Sequence, residues 1–260
     1  MQAQLWHPKY EGQGLLIEPV KKKGEKATFT QGDFRRAMGL FTAEEIDIEN
    51  PDSVFRGMVY ALLTRSSSYD RQDQILTRFH SDGLDSAKAI AARGDLMDYT
   101  RGVTYPQRLA DDITAFAREW WPNLSGAFIS CLRTDLEKQK RDYMRDQLTR
   151  DCPGLGNKCA SLLLRMAGYL DAVPLDRWAL RFLRDTAGHK IHQQYDKKKV
   201  KYDGNNYTRG LRTPDYMKYE NAFSDFANDL EIAPAALQML VYVHRTGWDH
   251  ERHPFMETAT

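Results

Sequence analysis

The chain has 260 residues, 42% of them hydrophobic and 11% aromatic, and 37 Lys plus Arg stand against 36 Asp plus Glu. This is the profile of a globular protein, and a formal net charge of +1 excludes a histone-like wrapper held to nucleic acid by charge alone. A mean hydropathy of −0.63, a start (Met1-Gln-Ala-Gln-Leu-Trp6) without a secretory leader and three cysteines (131, 152, 159) predict a cytoplasmic protein with no membrane span and no disulfide framework.

The predicted elements are mostly helical. Residues 13–31 (Leu15-Leu16-Ile17, then Ala27-Thr28-Phe29) suggest a small hairpin. Thr42-Ala-Glu-Glu45 has the form of a capping box and predicts a helix start. From Asp52 to Leu63, Val54, Phe55, Met58, Val59, Leu62 and Leu63 share one helical stripe. Tyr69 to Phe79 reads as a short helix with Ile75, Leu76 and Phe79 inward. Pro106 opens a helix expected to run towards Trp120 and stop at Pro122. Thr134-Asp-Leu-Glu137 is a second capping box, heading a charged helix to about Arg150. Lys158 to Leu170 is apolar nearly all round and predicts a central buried helix. Thr213-Pro214 and Pro234 start the last two helices.

The balanced total hides an uneven layout. Residues 190–212 carry +5, from Lys190, Lys197, Lys198, Lys199, Lys201, Arg209 and Arg212 against Asp196 and Asp203, and residues 213–260 carry −5. Such a dipolar layout fits one nucleic-acid face, and it equally fits a solvated loop followed by a solvated helix.

Chemistry concentrates around Cys152-Pro153-Gly154-Leu155-Gly156-Asn157-Lys158-Cys159. A charged helix, a tight turn with two glycines and an apolar helix follow one another. Glycines reach backbone angles that other residues avoid, so turn amides and the next helix N-terminus can approach a phosphate. The segment reads as a helix-hairpin-helix that clamps DNA backbone, or as an ordinary αα-turn with a glycine C-cap. Lys158 falls in the first turn of the apolar helix, and eighteen residues on Asp176 takes the N-cap of Arg177-Trp-Ala-Leu-Arg-Phe-Leu183. An amine beside a helix N-terminus in a partly dry pocket favours its neutral, nucleophilic form. A capping carboxylate stays ionised and can stabilise positive charge developing on a sugar. The plainer roles are a phosphate-binding lysine and a cap.

Gly154-Leu-Gly-Asn-Lys-Cys-Ala-Ser161 and Leu164-Arg-Met-Ala-Gly-Tyr-Leu-Asp-Ala-Val-Pro-Leu-Asp-Arg177 together resemble the helix-hairpin-helix DNA glycosylase superfamily. The resemblance is to its bifunctional 8-oxoguanine DNA glycosylase/AP lyases of the short archaeal and bacterial type, over about residues 50–250. It implies a mainly α fold, with two helical subdomains flanking an active-site cleft. The expected domains are an N-terminal extension 1–50, a core 51–250 and a tail 251–260. It implies that Lys158 attacks C1′, displaces the base and forms a Schiff base that eliminates the 3′ phosphate, while Asp176 assists base departure. The partner would be double-stranded DNA with a damaged or modified base, bound by a monomer without cofactor. Pro153, Gly154, Leu155 and Gly156 would clamp the backbone. Arg65, Ser67 and Tyr69 lie where the family carries its wedge, with Arg65 and Tyr69 as the wedge candidates, and Trp178 and Trp248 are candidates for the wall of the base pocket.

The chain departs from the family pattern where base recognition is built. The family usually has His two positions after the catalytic Asp, and here Trp178 stands. Thirteen residues follow Gly247, where the short archaeal type ends just after its Lys-Thr-Gly. A different base is therefore an alternative substrate, including a hypermodified phage base removed without a lyase step, as is a non-catalytic DNA-binding module. His244, His250 and His253 match no common metal-ligand spacing, so no metal is expected.

Overall fold

The computed structural model describes residues 15–17, 27–65, 68–133, 138–186 and 213–248. In chain order the strands are β1 (Leu15–Ile17) and β2 (Ala27–Phe29). The helices are α1 (Gln31–Ala43), α2 (Pro51–Leu63), α3 (Tyr69–Ser81), α4 (Ala87–Arg93), α5 (Met97–Thr100) and α6 (Pro106–Ala115). A π-helical turn (Phe116–Trp120) leads into α7 (Trp121–Leu132), followed by α8 (Lys138–Asp151), α9 (Asn157–Met166), α10 (Arg177–Asp185), α11 (Thr213–Asp229) and α12 (Pro234–Thr246). Among the described residues the protein is thus mainly α, with an antiparallel pair of short strands in which Leu15 faces Phe29.

The chain forms two compact units, one from Met1–Thr42 and Leu170–Arg252, the other from Ala43–Tyr169 and His253–Thr260. The first has a core of Phe29, Leu40 and Phe41 with Phe182, Leu183, Tyr219, Phe223, Leu237 and Leu240. Its α1 is nucleated by a reciprocal cap. The Asp33 amide donates to the Thr30 hydroxyl (3.1 Å) and the Thr30 amide to Asp33 Oδ2 (2.8 Å). Burial pushes the Asp33 carboxyl up, but hydrogen bonds from Thr30, His244 and Arg36 outweigh it and hold the group below its ordinary value.

This corrects the expectation at Thr42. That residue lies in the last turn of α1, where its hydroxyl donates to the Met38 carbonyl (3.1 Å), and no helix starts at 42–45. The box that acts is Thr30-x-x-Asp33, and α1 continues far enough to bury Leu40 and Phe41. The box at 134–137, the basic segment 190–212 and the tail from 249 on lie outside the described residues.

In the second unit α2 is the central helix. The Asn50 side chain caps it by accepting from the amides of Asp52 and Ser53, Pro51 fills N1, and ten of its thirteen residues are buried. Gly57 lets α2 approach its neighbours, because a Cβ there would stand 2.9 Å from Ile46 and 3.2 Å from Met166 of α9. Pro122 does not stop the helix that begins at Pro106. The π turn widens the path just ahead of it, and Pro122 then sits in the first turn of α7, where a missing N–H costs little. Phe116 and Trp121 of this run pack on Phe55 of α2, each with ring centroids 5.4 Å away.

Candidate active site

Each unit holds one of the two residues singled out from the sequence. In the second unit, α8 ends at Asp151, and the Leu155 amide closes the following turn on the Cys152 carbonyl (3.3 Å). Gly154 takes a left-handed φ of +76°, and a Cβ there would overlap the Arg65 guanidinium and the Asp112 carboxylate. Gly156 differs from the sequence expectation. Its φ of −97° is open to any residue and nothing lies within 4 Å of where its Cβ would stand, so the fold itself does not require this glycine.

Gly156 is the N-cap of α9 and, having no side chain, supplies no cap bond. Lys158 therefore stands at N2, among the backbone N–H groups that a helix leaves without intrahelical partners. Its Nζ donates to the Thr64 carbonyl at the end of α2 (3.1 Å), and the side chain is half-buried. Thr64 also places its hydroxyl 3.9 Å from Cys159 Sγ. From Cys159 to Met166 every residue of α9 is buried, so the amine projects from a rigid support. Burial, with Asp151 adding to it, pushes the Cys152 thiol well above its ordinary range and leaves it inert as a nucleophile.

In the first unit, Asp176 is the N-cap of α10. Its Oδ1 accepts from the amides of Trp178 and Ala179, both at 2.8 Å. The buried turn before it is held by α11. Tyr216 and Glu220 bond the backbone of Val173 and Leu175. The Trp178 ring carries the Arg181 guanidinium 4.8 Å from its centroid, and Trp178 and Trp248 both pack partly against this unit's core.

Arg65 is engaged within the protein, donating to the Gly154 carbonyl and pairing with Asp112. That arrangement makes it a strut of the hairpin. Ser67 lies outside the described residues, and Tyr69 opens α3. Sequence reading missed Asp112, Tyr216 and Glu220, whose partners lie 41 to 47 residues away in the case of the α11 pair. It also missed Tyr105, the left-handed N-cap of α6 (φ 59°), whose ring is 41% exposed just before Pro106. A bulky residue in that backbone region is uncommon. Among the described residues no group of three His, Cys, Asp or Glu could hold a metal, and no helix is long and apolar enough to cross a membrane.

The 8-oxoguanine DNA glycosylase family model matches residues 41–232. The chain resembles the 8-oxoguanine glycosylase/lyase of Methanocaldococcus jannaschii, solved with 15mer DNA containing 8-oxoguanine, at 19% identity and a TM-score of 0.57 over 84% of this chain and 90% of that one. It resembles the 8-oxoguanine DNA glycosylase of Thermotoga maritima at 18% identity and a TM-score of 0.54, over 84% and 89%. No curated protein sequence matches it significantly. A model spanning 41–232 covers well over half of the chain, and with the helix-hairpin-helix fold it shows that this protein belongs to the 8-oxoguanine DNA glycosylase family of enzymes.

Proposed function

We propose that the chain removes an oxidised purine such as 8-oxoguanine from duplex DNA and then cleaves the strand by β-elimination, with Lys158 as nucleophile. The observation that carries this reading is the seat of Lys158, half-buried at N2 of α9 directly after the hairpin, its Nζ held on the Thr64 carbonyl. In its neutral form the Nζ lone pair attacks C1′, and the bond from C1′ to the base nitrogen breaks. The departing base takes that electron pair and a proton. Ring opening leaves a C1′ Schiff base on Lys158. This acidifies C2′, whose proton is lost as the 3′ phosphate leaves, and water then releases the lysine. The Asp176 carboxylate stabilises the positive charge that grows on the sugar as the base departs.

A base must leave the stack for this chemistry, and a side chain must fill the gap. The exposed Tyr105 ring on its left-handed backbone, just ahead of α6, suits that wedge role. The turn amides after Gly154 suit a phosphate clamp, since the space at Gly156 is open.

Borohydride reduction tests the nucleophile. Wild-type protein on 8-oxoguanine duplex should be trapped as a covalent adduct, and Lys158→Ala should give none. An adduct of undiminished yield with Lys158→Ala sinks the assignment. Base release that needs piperidine for strand scission would leave a glycosylase without the lyase step.

A further inference from the structure

The turn that presents Asp176 is fastened by two side chains of α11 that touch neither base nor sugar in the reaction above. Val173 and Leu175 are buried, so their backbone groups need partners inside the protein. The Val173 amide donates to Glu220 Oε1 (3.1 Å). The Leu175 amide donates to the Tyr216 hydroxyl (3.1 Å), which in turn donates to the Val173 carbonyl (2.6 Å). Pro174 has no amide to satisfy, and the Asp176 amide turns back onto the Pro174 carbonyl (2.8 Å). Every amide from 173 to 176 is accounted for in this way.

Tyr216 and Glu220 stand four residues apart on one face of α11, and each is 1% exposed. Left without a partner, these buried backbone groups would be costly, and the two side chains satisfy them inside the protein. What this secures is direction. With 173–175 fixed and Oδ1 of Asp176 committed to two amides at the start of α10, the carboxylate plane has little freedom. Displacement of a reacting group by about 1 Å costs roughly a hundredfold in rate.

We infer that Tyr216 and Glu220 are positioning residues for Asp176, setting its carboxylate for base departure through the backbone of 173–175. The inference rests on the catalytic reading of Asp176 given above. It applies to base excision and not to β-elimination at a site that has already lost its base.

The test compares single-turnover excision from an 8-oxoguanine duplex, borohydride trapping on a duplex with a preformed abasic site, and affinity for the same lesion duplex. Tyr216→Phe should slow excision about ten- to hundredfold. It should leave abasic-site trapping and affinity near wild type, and Tyr216→Phe/Asp176→Asn should be no slower than Asp176→Asn alone. Glu220→Ala should behave like Tyr216→Phe, while Glu220→Gln, whose amide oxygen still accepts from Val173, should keep most activity. The role is overturned if Tyr216→Phe excises at the wild-type rate, if excision, trapping and affinity fall together, or if its effect adds in full to that of Asp176→Asn. Wild-type protein that releases no base, or Asp176→Asn that excises as fast as wild type, would overturn the catalytic reading itself and the positioning role with it.

Discussion

Arg65 Nη1 donates to the Gly154 carbonyl at 3.0 Å, so the second residue past the end of α2 grips the tip of the hairpin directly. Its Nη2 stands 2.6 Å from Asp112 Oδ2 on α6, and both side chains are largely shielded from solvent. The pairing explains why the two glycines of the turn are unequal. Only Gly154 has side chains pressed against it and a left-handed backbone.

Gly154→Ala and Gly156→Ala should therefore fail in different ways. The first forces a Cβ into the Arg65–Asp112 pair and costs roughly 1–2 kcal/mol in backbone strain alone, so its melting temperature should drop. The second meets nothing in the protein and should melt like wild type, yet bind duplex more weakly because the Cβ fills the approach to the turn amides. Paired melting curves and anisotropy titrations check this, and equal melting of all three proteins would contradict the packing at Gly154.

Asp176 caps α10, and its proposed part in base departure is separable from that cap. Asn caps a helix about as well as Asp, whereas Ala costs about 1 kcal/mol. Asp176→Asn should keep wild-type stability and lose excision, and Asp176→Ala should lose both. If Asp176→Asn excises normally, the residue is a cap and nothing more.

What the sequence made legible here followed from local rules. The pairing of strands 15–17 and 27–29, the start of α10 at Asp176, and α2, α9 and α12 were readable because caps, prolines and apolar periodicity act over a few residues. Thr42 misled because a capping box is a pattern of two residues, and the chain offered another at Thr30 with a core to bury behind it. Pro122 misled because its cost depends on whether the helix ahead can widen, which the aromatic packing of Phe116, Trp120 and Trp121 decides. For the site, Lys158 and Asp176 carry local signatures. Their supports do not: Thr64 offers only a backbone carbonyl, and Asp112, Tyr216 and Glu220 act across long separations.

Cys152 and Cys159 flank the hairpin and are buried, while Cys131 is partly exposed. With the Cys152 thiol pushed far up by burial, thiolate chemistry there is suppressed. A neutral-pH alkylating reagent should modify Cys131 first and reach Cys152 only on unfolding. Peptide mass mapping after a short pulse reads the order, and early labelling of Cys152 would mean that α8 and the turn open readily.

Asp73 on α3 gives the protein a stability that falls as pH rises. It is 8% exposed, and burial, then the charge of Asp70, pushes its carboxyl up to about 7. In the unfolded chain an aspartate titrates near 4, on the order of three units lower. Below about pH 4 both states hold the proton and the group is neutral in the balance. Between about 4 and 7 the unfolded chain releases the proton while the folded protein keeps it, so unfolding gains ground. Above 7 the full cost is in place, on the order of 2–4 kcal/mol. Asp73→Asn keeps the shape and removes the titration. Its melting temperature should exceed that of wild type at pH 8, and the gap should narrow steadily on acidification towards pH 5. Melting curves that run parallel across this range would show that Asp73 is solvated in the folded protein and carries no such cost.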